Sequence, residues 1–254
     1  MTNEKKLIDV QTTLYNSKNP TRKWLHCTRR DWIIDAIKEF SFSGMKVIEV
    51  GPGSGLYLDI LAEQADSVTA IDIELAYLEY IEPQKNKLSN LELVQDDITQ
   101  SKLEKNTYDL ILCTEVIEHI QNSPSALENM FDLLKPGGRL ILSTPQRYSP
   151  LELTAKVAFL PGFIQLVRLI YGEAIEPTGH INLMTEKVMK SQLVNAGFKI
   201  ERQFKSGVYL PVLAECGGKL TLSIEKWLEK KAQTSILHHL LWTQYYIAKK
   251  DEHP

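Results

Sequence analysis

Cysteine is scarce in this chain, and the three that occur, Cys27, Cys113 and Cys216, lie far apart and form no C-x-x-C pair. That argues against a disulfide framework and fits a reduced compartment. Long apolar runs are absent too: nothing approaches the roughly twenty uninterrupted residues that a bilayer-spanning helix needs. Positive charge is not in excess. A formal net charge of -3 gives no global pull toward nucleic acid or an anionic membrane, although it leaves room for a local basic patch. The opening residues, Met1 to Lys6, are polar and lack the apolar centre of a signal peptide. The expectation is a cytoplasmic protein with no nucleic-acid partner, and the composition leaves its oligomeric state open.

With 254 residues, the chain suits a single α/β domain with a full core. The stretch Val47-Ile48-Glu49-Val50-Gly51-Pro52-Gly53-Ser54-Gly55 organises it. A β-type run ends near an acid, breaks into glycines on alternate positions, and gives way to the amphipathic run Leu56 to Ala62. Strand, tight turn and helix in that order let backbone approach a ligand that a Cβ would exclude. A second strand ends at Asp72, where a carboxylate can accept both hydroxyls of a ribose. The spacing is G-x-G-x-G rather than the G-x-G-x-x-G of dinucleotide folds, which disfavours a nicotinamide-dependent oxidoreductase.

E-V-G-P-G-S-G with the downstream Asp72 resembles motif I and the ribose acid of class I S-adenosylmethionine (SAM)-dependent methyltransferases. The resemblance covers about Lys46 to Phe204 well and both ends poorly. It implies a doubly wound, seven-stranded, mostly parallel Rossmann-like sheet. It also implies a cofactor site made of Glu49, Gly51, Gly53, Gly55, Asp72, Ile73, Asp97, Ile98, Cys113 and Glu115. In that site the glycine turn would cradle the methionine moiety, Asp97 would meet the exocyclic amine of adenine, and Ile98 would pack on the ring. The alternative for Asp97 is a turn or helix cap.

The alternation of strand and helix signals agrees with such a sheet. An amphipathic helix is expected from Thr21 to Phe40, its first half basic with tryptophans interleaved. Relatives place an arginine upstream of motif I, so Arg29 or Arg30 would pair with the SAM carboxylate, Arg30 being taken into the site; a solvated helix face is the alternative. Strands follow at Lys46–Val50, Ser67–Asp72, Leu91–Gln95 and Tyr108–Cys113, and a fifth follows the L-K-P-G-G turn that is a second family hallmark. A helix from Thr185 to Ala196, a strand from Phe198 to Phe204 and a helical excursion over 211–232 come next. The last strand, Leu241 to Ala248, would run antiparallel between the fifth and sixth. The whole chain is read as an arm and helix (1–43), a cofactor core (44–145), an apolar cap (146–180) and the remainder of the sheet (181–254).

After the fourth strand comes Glu115-Val116-Ile117-Glu118-His119. If a helix starts near Glu115, then Glu115, Glu118 and His119 share one face at i, i+3 and i+4. This resembles the ubiquinone-biosynthesis O-methyltransferases and the small-RNA 2′-O-methyltransferases, in which such a segment can hold a magnesium-type ion. The resemblance implies Glu115, Glu118, His119 and His180 as ligands, the ion lowering the pKa of an acceptor hydroxyl. The alternative is a metal-free site in which Glu115 contacts the cofactor and His119 orients its neighbours. His180 is also a candidate general base, or a plain hydrogen-bonding histidine. His26 and Tyr148 are weaker candidates for the base, and His238-His239 reads as surface.

Ser149 to Thr178 is longer than a connection should be and strongly apolar. It is expected to form two short helices around Pro161-Gly162. They would pack on the core, line a pocket for an apolar acceptor, or touch a membrane through 151–171. The expected activity is methyl transfer from SAM to oxygen of a small, apolar, quinone-type acceptor. RNA 2′-O-methylation and a non-catalytic SAM-binding partner subunit are the alternatives.

Overall fold

A computed structural model describes residues 13–158 and 179–251. Its centre is a seven-stranded sheet in the order β3-β2-β1-β4-β5-β7-β6. The strands are β1 (Lys46–Val50), β2 (Ser67–Asp72), β3 (Leu91–Gln95), β4 (Tyr108–Thr114), β5 (Leu134–Pro145), β6 (Lys199–Ser206) and β7 (Thr243–Lys249). All neighbouring pairs are parallel except β5–β7 and β6–β7, so β7 runs antiparallel between the fifth and sixth strands, as expected.

Successive side chains of a strand point to opposite faces, and here both faces are covered. Ile48, Ile111, Leu140 and Tyr246 pack on one side against α4 (Ser123–Leu133) and α6 (Glu186–Asn195). Val47, Leu110, Ile141 and Tyr245 pack on the other against α1 (Pro20–Phe40), α2 (Leu58–Gln64) and α3 (Leu75–Lys85). Burial on both faces explains why inner strands such as β1 and β4 read as near-continuous apolar runs, whereas the edge strands β3 and β6 are part exposed and carry charged residues. Each such buried aliphatic side chain contributes roughly 1.5–3 kcal/mol.

Local chemistry fixes the ends of the helices. Asn19 accepts from the amides of Thr21 and Arg22 at 2.9 and 3.1 Å, with Pro20 in the first turn, so α1 begins there. Trp32 on α1 stacks on Phe204 and leans on Tyr245, docking the helix on the β6–β7 edge. The L-K-P-G-G turn opens β5. Gly137 takes a φ of 84° and its N–H donates to the Lys250 carbonyl at 2.8 Å, while Lys135 pairs with Asp109. Of the expected cap, α5 (Pro150–Ala158) is described; the second helix lies outside the described residues. The excursion over 211–232 is α7 (Pro211–Gln233), kinked where Gly218 takes a φ of 50°.

One local expectation fails. No α-helix starts near Glu115. Its N–H donates to the Ser143 carbonyl at 2.9 Å, continuing the β4–β5 pairing, and it then turns with a φ of 56°. Only a single 3₁₀ turn, Ile117–His119, follows before α4 begins at its own cap, Asn122.

Candidate active site

The C-terminal ends of the parallel strands form one rim. Gly51, Gly53 and Gly55 all have positive φ there. A Cβ on Gly51 would collide with Val116, and one on Gly55 with the Gln84 amide, so the turn is closed to larger residues. Beneath it, Glu49 is buried, one carboxylate oxygen has no partner, and burial pushes its pKa up to about 8. Asp72 accepts from the Glu74 amide at 2.9 Å, and burial raises it to about 6. Ile73 stands exposed beside it. A cradle that a Cβ would fill and an orphaned buried carboxyl oxygen both fit SAM, whose ammonium and ribose hydroxyls are the complementary groups.

Other expected cofactor residues make contacts within the protein. Asp97 caps the 3₁₀ turn Ile98–Gln100, accepting from the Thr99 amide and hydroxyl at 2.9 and 2.8 Å and from Gln100 at 3.2 Å. Against the desolvation of its position, these donors hold its carboxyl below the usual range. In this structure the Asp97 carboxylate thus caps the turn. Ile98 and Cys113 are buried in the core, and burial drives the Cys113 thiol well up, so neither offers a side chain to the rim. Arg30 turns outward to its neighbour Asp31 at 2.7 Å. The arginine that enters the rim is Arg29, which sits on the buried face of α1 and meets Glu115 at 2.6 Å and the Tyr15 hydroxyl at 3.4 Å.

Because Glu115 turns left-handed, its carboxylate goes to Arg29 and to the Ser143 hydroxyl, the latter at 2.8 Å. This removes it from the expected ligand set. Glu118, His119 and His180 do converge, with candidate ligand atoms within 4.8 Å of one another. Glu118 is fully buried. One oxygen accepts from Thr144 at 3.0 Å, the other has no hydrogen-bond partner and lies 4.0 Å from His180 Nε2, and burial followed by the Glu115 charge raises its pKa strongly. Its carbonyl accepts from the amides of Ile181 and Asn182, which ties the His180 loop down. His119 Nδ1 lies 3.2 Å from the Gly179 carbonyl, and burial, with His180 nearby, lowers its pKa.

His180 has a partner that the sequence reading missed. Its Nδ1 lies 3.3 Å from Glu152 on α5, and the other Glu152 oxygen accepts from Trp242 Nε1 at 3.0 Å. Glu152 thus favours the tautomer with the proton on Nδ1, leaving the Nε2 lone pair toward Glu118. Its only signal was a lone acid within an apolar helix. The weaker base candidates do not join this group: His26 is buried against Arg29 and Trp242, with its pKa driven down by burial and then by Arg29, and Tyr148 is exposed. His238 and His239 lie at the surface beside Glu186, whose carboxylate already meets Lys190 and Lys205.

A family model described as a methyltransferase domain matches residues 24–203. The chain belongs to that family. Its domain is of the SAM-dependent type, on a Rossmann-like sheet. The chain is 32% identical over 130 residues to the mitochondrial ubiquinone biosynthesis O-methyltransferase of Schizosaccharomyces pombe, the match covering 48% of this chain and 46% of that one. It is 28% identical over 173 residues to the ubiquinone biosynthesis O-methyltransferase of Rickettsia canadensis, covering 64% of this chain and 72% of that one. The matches therefore span about half to under three quarters of these relatives. Among solved structures, the N-methyltransferase NodS of Bradyrhizobium japonicum, in complex with S-adenosyl-L-homocysteine, superposes with a TM-score of 0.61 at 14% identity over 98% of this chain and 99% of that one. At that identity the likeness shows the fold alone.

Among the described residues, the donors that Glu118, His119 and His180 bring together are one carboxylate oxygen and two imidazole nitrogens. Magnesium prefers an all-oxygen, largely hydrated shell, so this set does not fit it.

Proposed function

We propose that this protein methylates a hydroxyl of a small, apolar, quinone-type acceptor, with His180 as the general base. The observation that carries the reading is the Glu152–His180 pair, which leaves an imidazole Nε2 open beside the unpartnered Glu118 oxygen. The names of the curated relatives support oxygen as the acceptor atom and a quinone-type ring as its carrier. The formal net charge of -3 and the apolar insertion weigh against the RNA alternative, of whose E-x-x-E-H and His180 constellation Glu118, His119 and His180 converge.

The glycine turn Gly51–Gly55, with Glu49 and Asp72, would hold SAM, which would supply a sulfonium methyl carbon for in-line displacement, the C–S electron pair going to sulfur as the C–O bond formed. The chain's part is alignment and proton removal. Asp72 would hold the ribose and Glu49 the ammonium, fixing the donor, and alignment of donor and acceptor is a large share of such a barrier. His180 Nε2 takes the acceptor's hydroxyl proton, and the resulting imidazolium faces the Glu152 carboxylate. Base catalysis of this kind is worth about 10²–10⁴ in rate.

A second reading has its own observation. The orphaned Glu118 oxygen and the two imidazoles would suit a borderline divalent ion such as zinc. We further propose a cytoplasmic location for the domain, with its acceptor reached at or near a membrane. The test is transfer of labelled methyl from SAM to a polyprenylated catechol, with and without chelator, by wild type and His180→Asn. Transfer that survives chelation and falls at least about a hundredfold in the variant supports the base. Full activity of His180→Asn, or no transfer by the wild type to any catechol, overturns the reading; loss on chelation with rescue by zinc replaces the base with the ion.

A further inference from the structure

Helix α7 presents two dissimilar sides. From 211 to 240 the acids are Glu215, Glu225 and Glu229, and all three face the protein. Glu215 pairs with Arg22 at 2.7 Å, Glu225 accepts from the Leu210 amide and Glu229 from the Gly207 amide, both at 2.8 Å. The lysines Lys219, Lys226, Lys230 and Lys231 are all exposed. Beyond the kink, Leu220, Ile224 and Trp227 recur at i, i+4 and i+7, so they stand on one face. Leu220 is 71% and Trp227 59% exposed. The following 3₁₀ turn adds Ile236, 81% exposed, and Leu237.

An apolar stripe of this size on a solvent face marks a contact surface. A tryptophan among aliphatic residues, with lysines beside them and no acid facing outward, is the pattern of a helix that lies in a bilayer interface. The charge decides the kind of surface: a chain with a formal net charge of -3 has here turned every acid of the segment inward. No helix among the described residues is long and apolar enough to cross a membrane.

We propose that the outward face of α7 and the turn after it docks the protein on an anionic lipid bilayer. The side chains Leu220, Ile224 and Trp227 enter the apolar boundary, and Lys219, Lys226 and Lys230 meet the headgroup charge. Through Asn19, whose side-chain amide donates to the Ala214 carbonyl at 3.1 Å, α7 is joined to the start of α1, the helix that carries Arg29 into the rim. The proposal does not depend on which acceptor is methylated.

Co-sedimentation with vesicles tests it, using phosphatidylcholine alone and phosphatidylcholine mixed with phosphatidylglycerol. The wild type should sediment with the mixed vesicles, less so at high salt, and stay in solution with the neutral ones. Trp227→Glu and the pair Lys226→Glu with Lys230→Glu should each weaken binding at least about tenfold, while Trp227→Phe retains it. Calorimetry with SAM, unchanged in each variant, reports that the fold is intact. No binding by the wild type, binding unaltered by these substitutions, or equal binding to neutral vesicles overturns the proposal. So does a wild-type dimer in sedimentation velocity that Trp227→Glu dissociates without any vesicle binding, which would assign the face to a second copy of the chain.

Discussion

Arg29 and Glu115 meet at 2.6 Å, joining the buried face of α1 to the residue that turns left-handed after β4. The pair is mostly withdrawn from water, so removing one partner strands the other. Arg29→Met alone or Glu115→Gln alone should cost about 3 kcal/mol in urea unfolding. The double variant should recover much of that loss, because no charge is then left unpaired. Additive losses in the double variant would show that the pair is not coupled.

Asp72 sets a pH dependence for donor binding. Burial raises its carboxyl to about 6, and the ionised form is the better acceptor for two ribose hydroxyls. SAM affinity should therefore be full above that value and fall as the pH drops through 6. In Asp72→Asn the affinity should be lower and flat across the same window. Calorimetric titrations between pH 5 and 8 would check both, and a wild-type curve without a slope would remove Asp72 from the ribose.

The sheet was legible because its inner strands, buried on both faces, leave near-continuous apolar runs, and the glycine turn and Asp72 stand at the ends of two of those strands. What the reading of residues missed has local causes. Glu-Val-Ile-Glu-His has helical spacing, yet pairing of Glu115 with the Ser143 carbonyl keeps that residue in the sheet, so the expected helical face never forms. The choice between Arg29 and Arg30 was available in principle: Leu25, Arg29, Ile33 and Ile37 recur every four residues and form the buried stripe of α1. Glu152 was harder to see, since only the fold brings α5 to Trp242 and His180.

Glu49 should make the free protein lose stability as the pH rises from about 4.5 to about 8. Its carboxyl is held at about 8 by burial, above the unfolded value. The stability it permits is whole below about pH 4.5 and is lost progressively as the pH rises to about 8, by a few kcal/mol in total. Glu49→Gln removes the ionisable group and keeps the shape. Its melting temperature should match the wild type near pH 4.5 and exceed it near pH 8, while SAM binding weakens. A variant less stable than the wild type at pH 8 would show that the charged form is already accommodated.

Glu152→Gln separates a positioning role from a merely structural one. Glutamine keeps an oxygen that can accept from Trp242 Nε1, so α5 stays fastened to the residue just before β7. Toward His180 it presents an N–H donor, which favours the tautomer with the proton on Nε2 and blocks that nitrogen as a base. Turnover should fall about 10- to 100-fold, the range for partners that orient a functional histidine, with SAM affinity and melting temperature unchanged. Glu152→Asp, which restores an acceptor on a shorter arm, should recover part of the rate. If Glu152→Gln turns over as the wild type does, the carboxylate serves only to hold the cap helix, and His180 needs no fixed tautomer.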